Sequence, residues 1–191
     1  FSYLDSFRIL TLTQVFSTGS KNINRKIREI WLSKKFNEDM FHGHYPGEPV
    51  MVTKNDYMNN LYNGDIGLFL KFFNPENGKT ELKAVFQVDG VFKTFFQNEL
   101  SNLQAAYAIT VHKSQGSEYE SVALILPELS IKLGQLDPNI QNFKDILTNQ
   151  MIYTAITRAK KSVLILGEKS VLEFLLLNKV VRFSGLANYM L

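Results

Sequence analysis

Short apolar segments without a polar face restrict the possible folds of this chain more than any other feature. Residues 121–126 (SVALIL) and 162–167 (SVLILG) are apolar at consecutive positions instead of alternate ones. Strands with this pattern are covered on both faces, as in parallel sheets that are flanked by helices. Residues 7–12 and 106–110 read as two further strands. The pattern predicts an α/β fold with a mostly parallel sheet.

Helical periodicity separates these strands. Ile23, Ile27 and Ile30 recur at three- and four-residue spacing, which indicates one apolar stripe of a helix. Basic residues border the stripe, and the simplest interpretation is a solvent-exposed helix face. These residues are Lys21, Arg25, Lys26 and Arg28. Two later helices are predicted at residues 142–160 and 169–178.

The middle of the chain has a different residue pattern. Short runs rich in Val, Phe, Tyr and Thr are separated by Asn63-Gly64, Asn77-Gly78 and Asp89-Gly90. Such pairs favour the positive φ angles of tight hairpin turns, so the runs predict a small antiparallel barrel. The barrel would be an insertion into the parallel sheet. We therefore predict three consecutive parts, with the barrel as the second: residues 1–45, 46–103 and 104–191.

Composition excludes several classes of protein. No run approaches the roughly 20 apolar residues that a membrane-spanning helix needs. The chain has no cysteine and three histidines, so disulfides and thiolate chemistry are excluded and a metal site is not expected. We expect a cytoplasmic protein. The net charge of +3 permits a polyanionic partner without requiring one. Because the chain begins at Phe1 and not at Met, we expect it to be a piece of a longer protein.

A polar run from His112 to Glu118 interrupts two apolar segments. Thr110 can cap a short helical turn here, and Gly116 can end the turn in a left-handed conformation. Capping alone does not explain why His112, Lys113, Gln115 and Glu118 occur together beside a glycine that lets a ligand approach. The loop also follows the carboxyl end of a parallel strand, where α/β sheets bind ligands. A surface turn and a phosphate-binding loop both remain open.

The segment NQMIYTAITRAKKSVLILG contains a second candidate site. Ile152, Ala155, Ile156 and Ala159 follow helical spacing and are predicted to face the core, with Thr154, Thr157, Arg158 and Lys161 on the opposite face. Lys160 and Lys161 are explained by favourable contact with the helix dipole. Arg158 is flanked by the small residues Thr157 and Ala159, which leave its guanidinium room to project. A planar cation in that position suits a transferring phosphoryl group.

The stretch TVHKSQGSEY followed by YTAITRAKK and a short apolar strand resembles motifs V and VI of superfamily 1 DNA helicases. GEPVMVTKND and LYNGDIGLFL resemble the inserted SH3-like barrel of related 5′-to-3′ helicases, and the tail RFSGLANYML resembles the RecD subunits of exodeoxyribonuclease V. The resemblance covers nearly the whole chain from Phe7. It implies a RecA-like second motor domain (2A) that carries an SH3-like barrel (2B).

The resemblance also implies roles for individual residues. Arg158 would be the catalytic arginine finger that contacts the γ-phosphate of ATP. Gly116 and Glu118 would lie at the edge of the nucleotide, and Glu118 would accept a hydrogen bond from a ribose hydroxyl. Gln115 would bridge the nucleotide and the DNA. Thr110 and His112 would contact the phosphates of single-stranded DNA, with Lys113 as an electrostatic helper. Tyr153 and Thr157 would position the helix that bears Arg158.

The sequence departs from the family pattern in motif IV, and it does not contain the phosphate-binding loop of the motor. Relatives often have an Arg followed by Gly-Pro in motif IV, but Gln14 and Val15 stand here, so no nucleotide contact is expected there. The sequence contains no G-x-x-x-x-G-K-[ST]. NGKTE at residues 77–81 lacks the first glycine of that pattern, because Phe73 occupies its position. ATP and Mg²⁺ would therefore be held in part by residues outside these 191.

The partners implied are single-stranded DNA and the RecB and RecC subunits, in double-strand break repair and recombination. Two alternatives stay open. One is another helicase of the same branch, either a stand-alone RecD-like protein or part of a relaxase. The other is a non-enzymatic nucleic-acid-binding module built on the barrel, whose interleaved aromatic residues permit stacking on bases. These aromatic residues include Tyr57, Tyr62, Phe92 and Phe95.

Overall fold

The computed structural model describes residues 1–34, 43–129, 131–132, 135–136 and 146–179. The motif RFSGLANYML and the predicted start of a helix at residue 142 lie outside the described residues. Among the helices that are described, none combines the length and apolarity that crossing a bilayer requires.

A parallel sheet forms the first layer of the fold. Its strands are β1 (Phe7–Thr11), β7 (Ala108–Thr110), β8 (Tyr119–Ile125) and β11 (Ala159–Leu166), in the order β11-β8-β1-β7. Every neighbouring pair is parallel, with Leu10 in register with both Ile109 and Leu124. These three residues are buried in one hydrophobic core. The predicted α/β class with a parallel sheet is confirmed.

Four α-helices accompany this sheet within the described residues. They are α1 (Ser2–Ser6), α2 (Ser20–Lys34), α3 (Asn149–Ile156) and α4 (Lys169–Leu177). Asn24 of α2 ties the helix to the sheet, because its side chain donates to the carbonyl of Ala108 and accepts from the Ala108 amide. Met151, Ile152, Val171 and Leu175 pack α3 and α4 into the same core as the strands. The short helix α1 was not predicted.

An antiparallel sheet lies between α2 and β7 in the sequence. Its strands are β2 (Pro49–Val52), β3 (Ile66–Asn74), β4 (Lys79–Val88), β5 (Val91–Phe96) and β6 (Leu103–Ala105), in the order β5-β4-β3-β2-β6. Asp89 and Gly90 both have positive φ at the β4–β5 turn, and Gly78 does so at the β3–β4 turn. The hairpins predicted at Asn77-Gly78 and Asp89-Gly90 are therefore confirmed, whereas Asn63-Gly64 lies in the longer loop between β2 and β3. A separate core contains Phe69, Phe86 and Leu61. A further short hairpin joins β9 (Ile131–Lys132) to β10 (Gln135–Leu136).

The helix predicted at residues 142–160 is wrong at its carboxyl end. Helix α3 stops at Ile156, and Ala159 already pairs with Tyr119 of β8. Pairing with the sheet therefore overrides the helical periodicity. Ile152 and Ala155 are buried as predicted, but Ile156 is exposed and Ala159 is part of a strand. Lys160 and Lys161 also belong to β11, so their predicted role at a helix terminus is wrong.

A buried carboxylate joins α2 to the first strand of the antiparallel sheet. Glu48 has no exposed surface, and its Oε1 and Oε2 lie 2.7 Å from Arg28 Nε and 2.7 Å from His44 Nδ1. The Arg28 Nε–H does not point along its contact, which is therefore an ion pair without a directed hydrogen bond. The Arg28 guanidinium also donates to the carbonyl of Gly43. The prediction that Arg28 belongs to a merely solvated helix face is wrong, because it holds this carboxylate.

Two tyrosines extend the same contact. Tyr45 stacks on Trp31 of α2 at a centroid distance of 5.7 Å, and its hydroxyl lies 2.6 Å from that of Tyr107. Tyr107 lies between β6 and β7, so the hydroxyl pair links both ends of the inserted segment. Burial raises the pKa of the Tyr107 and Tyr45 hydroxyls above their ordinary values.

These raised pKa values predict a loss of stability at alkaline pH. Above about pH 10 the unfolded chain releases the phenolic protons, whereas the folded chain keeps them. The unfolded state then binds fewer protons, so the free energy of unfolding falls as pH rises. Urea denaturation between pH 8 and pH 11 should show this fall in the wild-type protein and a shallower one in Tyr107→Phe. Equal slopes in the two proteins would contradict the assignment.

Candidate functional site

The polar loop after β7 is built by local capping. Thr110 Oγ1 accepts a hydrogen bond from the Lys113 amide at 3.4 Å, which begins a 3₁₀ turn over Val111–Ser114. The buried hydroxyl of Ser114 donates to the Val111 carbonyl at 2.7 Å. Gly116 follows with φ of +84°. A side chain at that φ would be strained, which explains the glycine. The predicted cap and left-handed glycine are both confirmed.

The loop presents most of its polar groups to solvent. His112, Gln115, Gly116 and Glu118 are exposed. Thr110, by contrast, is only 6% exposed and its hydroxyl is used as the cap. In this conformation Thr110 shapes the loop, and its neighbours are the ones that a ligand can reach.

Arg158 is brought directly against this loop. Its Nη1 donates to the Ser117 carbonyl at 3.1 Å, and its Nε donates to the Thr154 carbonyl at 3.3 Å. The Arg158 carbonyl accepts from the Tyr119 amide at 2.8 Å, because β8 and β11 start side by side. The side chain is half-buried. The two segments that sequence analysis singled out therefore meet at the amino-terminal edge of the sheet.

Ion pairs reinforce the same edge. Lys160 Nζ lies 3.3 Å from Glu118 Oε2, and Lys161 Nζ lies 3.0 Å from Glu120 Oε1. All four side chains are largely exposed, so each pair contributes little to stability. The pairs matter more for the local distribution of charge, because Lys160 places a cation beside Glu118 and is only two residues from Arg158 in the sequence.

A cavity of about 310 Å³ lies between the loop and α3. It is lined by His112 and Gln115 from the loop and by residues on or just before the helix. Thr148, Gln150 and Thr154 are its other polar residues; the sequence analysis placed Thr154 on the face of Arg158 but missed Thr148 and Gln150. Gln150 and Thr154 share a helix face at four-residue spacing, which could have marked them. Tyr153 is exposed and does not line this cavity, whereas the Thr157 hydroxyl donates to the Thr154 carbonyl at 3.0 Å.

A second cavity of about 290 Å³ lies between the loop and the antiparallel sheet. Lys113, Glu118, Asp65 and Gln87 line it together with Arg8, which is buried. The guanidinium of Arg8 donates to the carbonyls of Ala106 and Leu4, both at 3.2 Å, and burial lowers its pKa. The sequence analysis missed Arg8, although a charged residue inside an apolar strand already indicated an unusual buried position. Lys113 also connects the polar loop to the loop between β2 and β3, since its Nζ contacts Asn63 Oδ1.

Comparison with known proteins identifies the family. Residues 67–167 match the model of the viral superfamily 1 RNA helicase core domain, which is more than half of the 191 residues. The chain belongs to the superfamily 1 helicases. The match includes the polar loop, Arg158 and four of the five strands of the antiparallel sheet, β3 without its first residue.

Within the superfamily 1 helicases, the similarity is to RecD proteins, as predicted. The chain is 31% identical to the RecBCD enzyme subunit RecD of Mycobacterium tuberculosis over 183 residues, which are 96% of this chain and 28% of that protein. It is 30% identical to RecD of Haemophilus influenzae, over 95% of this chain and 24% of that protein. The ATP-dependent RecD2 DNA helicase of Deinococcus radiodurans is 35% identical over 60% of this chain and 13% of that protein. The chain thus spans about a quarter of the RecD subunits that it matches.

A solved structure of Pif1 helicase from Bacteroides, in complex with ADP-AlF3 and single-stranded DNA, also matches. The TM-score is 0.49 and the identity is 17%, over 98% of this chain and 45% of that one.

Proposed function

We propose that the chain is the second motor domain, with its inserted module, of an ATP-dependent 5′-to-3′ DNA helicase of the RecD type. The observation that carries the proposal is the contact between Arg158 and Ser117. It joins the two motifs at one accessible edge, where a nucleotide held by another part of the protein could reach both. A location of either motif in the core would have argued against a motor.

We infer that the two sheets correspond to two domains. Residues 1–45 and 104–191 would form the RecA-like domain 2A, and residues 46–103 would form an SH3-like barrel, 2B. Two hydrophobic cores support this division, because Leu10 and Leu124 belong to one and Phe69 and Phe86 to the other, and Met51 of β2 joins the two units by packing into the first core.

In the proposed mechanism, Arg158 is the catalytic residue. A guanidinium has five N–H donors, and the two hydrogen bonds described use Nε and Nη1. The remaining donors can contact the γ-phosphate oxygens and stabilise the charge that develops on them. Gln115, Gly116 and Glu118 would contact the rest of the nucleotide from the same loop. Mg²⁺ would neutralise phosphate charge, held by residues outside this chain.

The DNA side of the proposal lies on the other end of the loop. His112 and Lys113 would contact phosphates of single-stranded DNA, with Thr110 fixing their position through its capping bond. Closure of the cleft on ATP and its reopening on hydrolysis would alternate the grip on the strand. In the full protein we propose RecB and RecC as partner subunits, in cytoplasmic break repair and recombination.

The 191 residues alone can be used to test whether ATP hydrolysis also requires the rest of the protein. This piece should show no DNA-stimulated ATPase activity, because Arg158 can stabilise a transition state but nothing in the sequence matches the loop that cradles the β-phosphate. A coupled assay for phosphate release, with the full-length protein as the positive control, measures this. Turnover by the folded piece above that of an Arg158→Ala piece would overturn the proposal.

A further inference from the structure

An exposed aromatic platform stands on the loop between β2 and β3. Tyr57 is 72% exposed, Met58 is 97% exposed and Tyr62 is 50% exposed. The rings of Tyr57 and Tyr62 meet edge to face at a centroid distance of 6.3 Å. We call Tyr57, Met58 and Tyr62 the tyrosine platform. These side chains lie outside both hydrophobic cores, so packing does not explain them.

The loop that bears the platform is firmly built. Asp56 and Leu61 form an antiparallel bridge with backbone hydrogen bonds of 2.7 and 3.0 Å, and the Leu61 side chain is completely buried. Asn55 donates to the Tyr57 hydroxyl at 3.0 Å and accepts from the Asn63 amide at 2.9 Å. Exposed apolar rings on an ordered loop lose little conformational entropy when they bind.

Two lysines lie close to the platform. Two carboxylates beside them, Asp56 and Asp65, are partly buried and accept hydrogen bonds from the amides of Asn59 and Tyr62 at 3.2 and 2.7 Å, which holds this loop in shape. Lys54 is exposed on the same loop. Lys113 lies next to the loop that bears the platform, since its Nζ contacts Asn63, the residue after Tyr62.

We propose that the tyrosine platform stacks bases of single-stranded DNA that leaves the polar loop at Lys113. The inference rests on the proposed function, and it extends the DNA contact from the parallel-sheet unit onto the inserted module. Aromatic rings beside lysines are the combination that binds unpaired strands without sequence preference, since every base has a stacking face. The Lys113–Asn63 contact connects the platform to a residue that we propose as a DNA contact, so DNA fits this surface better than a protein does.

The test measures the affinity of the full-length helicase for oligo(dT) by fluorescence anisotropy. The Tyr57→Ala/Tyr62→Ala variant should bind at least about fivefold more weakly, the low end for loss of one stacked base. The dependence of affinity on salt should keep its slope, because no phosphate contact is removed. Tyr57→Phe/Tyr62→Phe keeps both rings and should bind as the wild type does. Tyr3→Ala is the matched control, because Tyr3 is 89% exposed on α1.

A direct readout is photocrosslinking of an oligonucleotide that contains 5-iododeoxyuridine. Crosslinks that mass spectrometry maps to Tyr57 or Tyr62 support stacking. Unchanged affinity of the alanine variant, in a protein that otherwise binds single-stranded DNA, overturns the platform and leaves the proposed function intact. A wild-type protein without affinity for single-stranded DNA overturns both.

Discussion

Replacing Arg158 by alanine in the full-length helicase is expected to lower the kcat of DNA-stimulated ATP hydrolysis by about 10³-fold or more. Removal of the guanidinium takes away donors that act on charge developing in the transition state. Affinity for single-stranded DNA should stay unchanged, because Arg158 is proposed to act on ATP, whereas His112 and Lys113 are proposed to contact the DNA. Steady-state phosphate release and oligonucleotide anisotropy on the same preparations measure the two quantities.

The experiment needs controls for structure and for charge. Lys161→Ala removes a nearby exposed cation whose partner is Glu120, and it should leave kcat within about twofold because such a pair is weak. Arg158→Lys keeps the charge but loses the planar fork, so most of the defect should remain. A circular dichroism melt would show whether loss of the Ser117 contact unfolds the edge. Wild-type kcat in Arg158→Ala would refute the finger assignment.

Local chemistry made the polar loop predictable. A threonine that can cap and a glycine that can take positive φ are decided by their own neighbours, so the 3₁₀ turn after Thr110 followed from the sequence. The same holds for the hairpin at Asp89 and Gly90, whose positive φ angles suit a tight turn. The parallel sheet followed from strands without a polar face.

Tertiary contacts decided the features that the sequence analysis missed. Helical spacing continues through Arg158 and Lys161, but pairing between β8 and β11 claims the chain from Ala159 onward. Nothing local distinguishes Arg28 from Arg25 on α2, and the difference lies in what packs on each. Arg25 pairs with Glu29 in solvent, whereas Arg28 meets Glu48, the residue just before β2 of the other sheet.

Glu48→Ala is accordingly expected to destabilise the protein by about 3 kcal/mol, the lower end of the range for removing one partner of a buried ion pair. The lower end applies because the Arg28 side chain is one-third exposed and keeps part of its hydration. His44 also loses its partner, and its ring then remains stacked only on Phe69. Urea denaturation with hydrogen exchange at β2 and α2 measures the loss and shows where it arises.

The pair Arg25–Glu29 supplies a matched control on the same helix. Both its side chains are about 60% exposed, so Glu29→Ala should cost no more than about 0.5 kcal/mol. The double variant Arg28→Met/Glu48→Leu should recover much of the stability lost in Glu48→Ala, because apolar residues of similar size can replace a buried ion pair. Glu48 immediately precedes β2 and Arg28 lies on α2, so local exchange in Glu48→Ala should rise first where the two sheets join. Equal effects of Glu48→Ala and Glu29→Ala would show that this junction is held by the Trp31–Tyr45 and Tyr45–Tyr107 contacts instead.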